Sequence, residues 1–92
     1  MRFEFKPSFE QSLKALPERD KQAVKLAAIQ AIDVLSKKTE LRQGIGLKRL
    51  RNDYWEVRHG LHLRIILRWR GDLVEFILSG NHDQIRRFLR NL

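Results

Sequence analysis

Arginines 58, 64 and 68, with Glu56 and His62, fall in stretches whose apolar residues alternate. In LHLRIILRWR, residues 61–70, Leu61, Leu63, Ile65, Leu67 and Trp69 share one side. His62, Arg64, Ile66, Arg68 and Arg70 take the other, because successive strand side chains point to opposite faces. In DYWEVR, residues 53–58, Trp55 and Val57 oppose Tyr54, Glu56 and Arg58. A hairpin turning at His59-Gly60 sets the two polar rows side by side, about 5 Å apart. The prediction is a concave, arginine-rich sheet surface with Lys48, Arg49 and Arg51 along its rim. Arginine's planar fork suits two-pronged contact with phosphate and keeps its charge near pH 7. Neighbouring like charges repel, so either Glu56 compensates them or an anion sits among them. The bland alternative is a solvent face decorated with arginine, as antiparallel sheets often have. Tyr54, on the polar side, is placed to stack on a base.

A second candidate lies in GNHDQIRRFL, residues 80–89. Asn81 with Gln84 three residues on reads as a helix cap, which accounts for Asn81 and Gln84 but not for His82. A histidine, with a reference pKa of about 6.5, can move protons near neutral pH. The bland alternative is a half-exposed histidine at a helix start. His59 and His62 are three apart, which on a strand points them to opposite faces. With no cysteine present, zinc is not expected, and neither is any other cofactor. GIG at 44–46 is too short for a phosphate loop.

The charge balance supports an anionic partner. The 92 residues carry 19 Lys+Arg against 11 Asp+Glu, a net charge of +8. Residues 1–41 hold eight basic and six acidic side chains; residues 42–92 hold eleven and five, and ten of those eleven are arginine. A field of this sign favours nucleic acid, an anionic surface or an acidic protein. No cysteine, no apolar run of about 20 residues and no signal-like N-terminus point to a cytoplasmic protein with no membrane partner.

The elements that must position these residues are legible as one domain, residues 1–92. RFEFK, residues 2–6, alternates as a strand ended by Pro7. Ser8 with Gln11 predicts a capped helix carrying Phe9, Leu13 and Leu16, broken at Pro17. Residues 18–38 predict the longest helix, its stripe formed by Val24, Ala27, Ala28, Ala31, Ile32 and Leu35 and widened by Leu26 and Ile29. The two helices form a hairpin. Residues 46–51, 53–58, 61–70 and 73–78 predict strands, with a second tight turn at Gly71-Asp72. Ile85, Phe88, Leu89 and Leu92 stripe a short terminal helix. The expected fold class is α+β. A small antiparallel sheet of about four to five strands carries an N-terminal helical hairpin on one face, with a short C-terminal helix.

Over essentially the whole chain, the strand at 2–6, the helical pair, GLKRLRNDYWEVRHGLHLRIIL and VEFILSGNHDQIRRFL resemble the RelE/ParE superfamily of toxin–antitoxin toxins. The resemblance implies a four-stranded antiparallel sheet with an N-terminal helical pair. It implies one of two activities: a RelE-like endoribonuclease cutting mRNA on the ribosome, or a ParE-like inhibitor of DNA gyrase without nuclease activity. It also implies a small antitoxin partner, in a possible hetero-oligomer. Arg58 matches the family's basic position before the hairpin, and Arg64 the arginine just after it. Lys48, Arg49 and Arg51 fall where members carry basic residues for RNA, and His82 falls where some nucleases carry an acid–base histidine. The chain departs where some members have a C-terminal tyrosine, Phe88 being the nearest aromatic, and where others have a lysine pair, in the stretch Tyr54-Trp55-Glu56-Val57-Arg58. The expected chemistry is metal-free phosphodiester cleavage, with Arg64 and Arg58 stabilising phosphoryl charge. His82 is the acid–base candidate and Glu56 the backup base. Arg68, Tyr54 and the rim cations would contact RNA.

Overall fold

A computed structural model describes residues 1–37 and 45–92. The long helix ends at Leu35, three residues short of its predicted end, and the next strand begins at Ile45, inside the loop predicted over 39–46. The rest of that loop, residues 39–44, lies outside the described residues. The order is β1 (Arg2–Phe5), α1 (Pro7–Lys14), α2 (Glu18–Leu35), β2 (Ile45–Arg49), β3 (Tyr54–His59), β4 (Leu63–Arg70), β5 (Leu73–Asn81) and α3 (His82–Arg90). Among the described residues these strands form one sheet in the order β1-β5-β4-β3-β2.

Strands β2 to β5 are an antiparallel meander, as tight turns dictate. Gly71, with φ of +59°, supplies the left-handed residue in the two-residue turn between β4 and β5. β1 differs from the expected antiparallel sheet: it pairs parallel to β5, with Phe3 opposite Val74 and Phe5 opposite Phe76. Helices α1 and α2 and strands β2 to β4 intervene between those two strands, and a parallel pair needs such a crossover.

The main core lies between the sheet and the helices α1 and α2. It joins Phe9, Val24, Ala27, Ala28, Ala31 and Leu35 to Val57, Leu63, Ile65, Leu67, Val74 and Phe76. Three alanines on α2 let its backbone approach the sheet closely. Phe5, Phe9 and Phe76 pack with ring centroids 4.6–5.6 Å apart. α1 rests mainly on β5, and α2 on β3 and β4, with only slight contact between the two helices.

Several local expectations are corrected. Pro7 occupies the first helical turn of α1, so Ser8 lies inside the helix and is no cap; its hydroxyl donates to the Ile77 carbonyl instead. Leu26 and Ile29 stay half exposed, because the helix turns that flank away from the sheet. β4 begins at Leu63, which leaves Leu61 in the turn and 85% exposed. α1 and α2 lie on one face of the sheet and α3 on the other. α3 packs over β5 and β4, and it seals Ile66 and Ile85, both fully buried and outside the main core.

The cap of α3 forms as the sequence predicts. Asn81 Oδ1 accepts from the Gln84 backbone N–H at 2.9 Å, and the Gln84 side chain accepts from the Asn81 backbone N–H at 2.8 Å. Gly80 makes this possible: a Cβ there would stand 2.5 Å from Gln84 Oε1 and 3.1 Å from its Cβ.

Candidate nucleic-acid site

The pleat and registers lay the sheet's second face out in rows. Gly46, Arg58, Arg64 and Gly80 stand in line across β2, β3, β4 and β5. The next row reads Lys48, Glu56, Ile66 and Leu78. Two guanidiniums are thus flanked on each side by a glycine; the Gln84 side chain packs over Gly80, while at Gly46 the nearest side chain is that of Arg58 itself.

Glu56 organises the pair. Arg58 Nε donates to Glu56 Oε1 at 2.9 Å. Arg64 Nε lies 3.3 Å from the same oxygen, near enough for an ion pair but not aligned as a hydrogen bond. Arg64 also donates from a terminal nitrogen to the Leu63 carbonyl at 3.0 Å. The Arg64 side chain is 12% exposed and that of Glu56 10%, whereas that of Arg58 is 49% exposed. Arg64 is therefore a fixed, nearly buried charge, and Arg58 is the accessible one.

α3 divides the face, so the basic surface is not the single concavity expected. The helix starts at His82, two residues after the cross-strand partner of Arg64. It buries Ile85, then sets Phe88 edge-on to Tyr54 with centroids 5.8 Å apart. Near its end the Leu89 carbonyl accepts from Arg51 at 3.0 Å. Beyond it lies a second cluster around Glu75, whose carboxylate is buried. Arg68 Nε donates to Glu75 Oε1 at 2.7 Å, and Lys6 Nζ lies 3.4 Å from Oε2. Arg70 approaches Oε1 at 3.8 Å. The hydrogen bond from Arg68 holds the Glu75 carboxyl below the usual carboxylate range, against the opposing cost of burial, with Lys6 assisting. The same bond raises Arg68.

The predicted residues thus separate. Arg58, Arg64 and Glu56 come together, with Lys48 opposite Glu56 and exposed. His82 is exposed at the start of α3, two residues beyond Gly80, with no hydrogen bond or ion pair to the row among the described residues. Arg68 belongs to the Glu75 cluster, Arg51 is tied to α3, and Tyr54 is half-buried against Phe88. Arg49 pairs with Trp55, which packs against the main core, so it lies on the opposite face from the arginine row. Sequence reading missed Glu75 as a cation hub. Its signal was a single acid inside the apolar run LVEFIL beside an arginine-rich strand.

No family model matches the chain, and no curated protein matches it. Solved structures do. A chain of the RelB–RelE antitoxin–toxin complex from Methanococcus jannaschii is 21% identical with a TM-score of 0.66, over 92% of this chain and 96% of that one. The Escherichia coli DinJ–YafQ complex gives 18% identity and a TM-score of 0.72, over 92% and 98%. A copper-bound mutant toxin from Helicobacter pylori gives 15% and 0.66, also over 92% and 98%. The chain therefore shares, along nearly its whole length, the α+β fold of the RelE and YafQ structures.

Proposed function

We propose that the chain is the toxin of a type II toxin–antitoxin pair, a RelE-like endoribonuclease that cleaves mRNA on the ribosome. The observation that carries this reading is the Gly46–Arg58–Arg64–Gly80 row, its guanidiniums tethered by Glu56, with exposed His82 two residues beyond Gly80. In the proposed reaction a base takes the proton of a ribose 2′-hydroxyl. The 2′-oxygen attacks the adjacent phosphorus, and the 5′-oxygen leaves with a proton. The products are a 5′-hydroxyl and a cyclic phosphate, which can open to a 3′-phosphate. No metal ion takes part in the proposed step.

Arg58 and Arg64 meet the charge that builds on the phosphoryl oxygens, and Arg64's burial keeps that donor preorganised. His82 transfers protons from the start of α3. Glu56 holds the arginines in place and is the backup base. Lys48 extends the cationic strip toward the RNA backbone, with Arg51 beyond α3; Tyr54 and Arg68 complete the proposed RNA contacts at longer range, and Arg49, on the opposite face, is left out of them. The antitoxin partner is supported by the RelB–RelE and DinJ–YafQ assemblies. A groove of about 300 Å³ lined by Phe5, Phe9, Leu13, Ala28, Ile29 and Ile32 offers it an apolar seat. The proposed setting is the cytoplasm; among the described residues no helix is long and apolar enough to cross a membrane.

One observation favours the gyrase-inhibitor reading. Both arginines of the row already share a carboxylate, as in a purely structural ion cluster. Inducing the protein in a bacterium separates the two. Growth arrest with cut mRNA and intact DNA supports the nuclease; intact mRNA with broken DNA supports the gyrase inhibitor.

A further inference from the structure

The outer side of α3 carries three arginines that the proposed cleavage site does not use. Arg86, Arg87 and Arg90 fall within an arc of about 100° on the helix, opposite buried Ile85. All three are exposed. Among the described residues their guanidiniums have no hydrogen bond and no ion pair, whereas Arg51, Arg58, Arg64 and Arg68 each have a partner. With Asp83 they line one shallow concavity of about 330 Å³. Asp83 sits in the middle of the arc but lies within ion-pair distance of none of them, leaving the ridge a net charge of +2.

A helix dipole rewards cations in the last turn, which accounts for Arg87 and Arg90 alone. It does not account for Arg86, or for gathering three like charges on one face at a cost in repulsion. The ridge is also rigid. Its first turn is locked by the Asn81–Gln84 cap, its middle by Ile85 and its end by the Tyr54–Phe88 contact and the Arg51 bond to Leu89. It starts at His82, two residues beyond Gly80 of the arginine row. From Arg86 to Arg90 the helix advances about 6 Å, so the ridge leads away from that start along a line.

We infer that Arg86, Arg87 and Arg90 form a second contact for RNA, gripping backbone phosphates beyond the scissile bond without reading bases. The inference rests on the RNA reading of the sheet-face site and extends it to substrate grip. Arginine forks pair with phosphate oxygens, and three such contacts on one face hold a strand independently of its sequence.

The test compares the wild-type protein with the R86Q/R87Q/R90Q variant, binding a labelled single-stranded RNA of about 20 nucleotides over a salt series. The variant is expected to bind at least tenfold more weakly. Its log–log salt slope should be shallower by about 2, three lost contacts at about 0.7 each. An R86K/R87K/R90K variant should recover most of the slope, which a folding defect would not allow. Unchanged affinity and slope in the glutamine variant overturn the inference while leaving the cleavage site standing. A wild-type protein that binds no free RNA overturns the inference; the cleavage reading is decided separately, by mRNA cutting on the ribosome. If the glutamine variant loses binding to polyglutamate but keeps its RNA binding, the ridge docks an acidic protein and the inference falls.

Discussion

Arg58 and Arg64 face each other directly across β3 and β4, and the nearly buried Glu56 carboxylate is what lets them do so. Directly opposed like charges in a sheet are destabilising. One carboxylate oxygen in reach of both guanidiniums converts that repulsion into a fixed pair of donors.

Glu56→Gln removes the shared anion while preserving shape. Breaking a buried ion cluster from one side leaves uncompensated charge, so stability should fall by about 3 kcal/mol. Urea unfolding measures it, through a lower midpoint at unchanged slope. RNA cleavage should fall too, because Arg64 loses its anchor. A midpoint equal to wild type would show that the two arginines need no tether.

His82→Ala tests the proton-transfer role. The side chain is exposed, so folding stability should change by no more than about 0.5 kcal/mol. Cleavage should drop about 10²-fold or more, the scale of general acid–base catalysis. Full activity in a purified cleavage assay would remove His82 from the reaction.

Gly80→Ala tests the link between the row and α3. The added Cβ would press on Gln84 and open its bond to Asn81. Losing the cap should cost about 1 kcal/mol and lower the melting temperature by roughly 4–8 °C. A Gly80→Ala protein that melts with wild type would mean that Gln84 moves aside without loss.

Glu75 gives the fold an acid limit. Its carboxyl titrates lower in the folded chain than in the unfolded one, because Arg68 hydrogen-bonds the charged form. The stabilisation is therefore complete above the unfolded value, about 4.3, and drains away as pH falls through the folded value. Melting temperatures measured from pH 7 downward should drop in that window. Glu75→Gln should be less stable at pH 7 and lose less on acidification. Parallel curves for the two proteins would contradict the assignment.

The parts of the site fixed by local periodicity were legible in the sequence. Alternation in residues 63–70 puts Leu63, Ile65 and Leu67 in the core and Arg64 and Arg68 on the other face. Arg58 comes beside Arg64 only because the turn takes Gly60, Leu61 and His62; the expected turn at His59-Gly60 is corrected, since His59 ends β3 opposite Leu63. What depends on distant partners was not legible. β1 pairs with β5 across all the elements from α1 to β4, and no local pattern specifies that its direction is parallel. In GLKRLR the leucines are three apart, so the stretch does not declare which side Arg49 takes; only the pairing of Leu47 with Val57 decides it. α3's stripe announces a buried side but not the sheet face it covers. That choice, made through Ile66, splits the cations into two clusters.

The central claim is that the Arg58–Arg64 row cleaves mRNA, and the most direct test uses purified components. Ribosomes carrying a defined mRNA are mixed with the wild-type protein or with Arg64→Ala, and the mRNA ends are mapped by primer extension. The account predicts discrete cuts at in-frame codon positions with the wild-type protein and their loss, by at least about 10²-fold, with Arg64→Ala. Intact mRNA with the wild-type protein, or equal cutting by both, would contradict it.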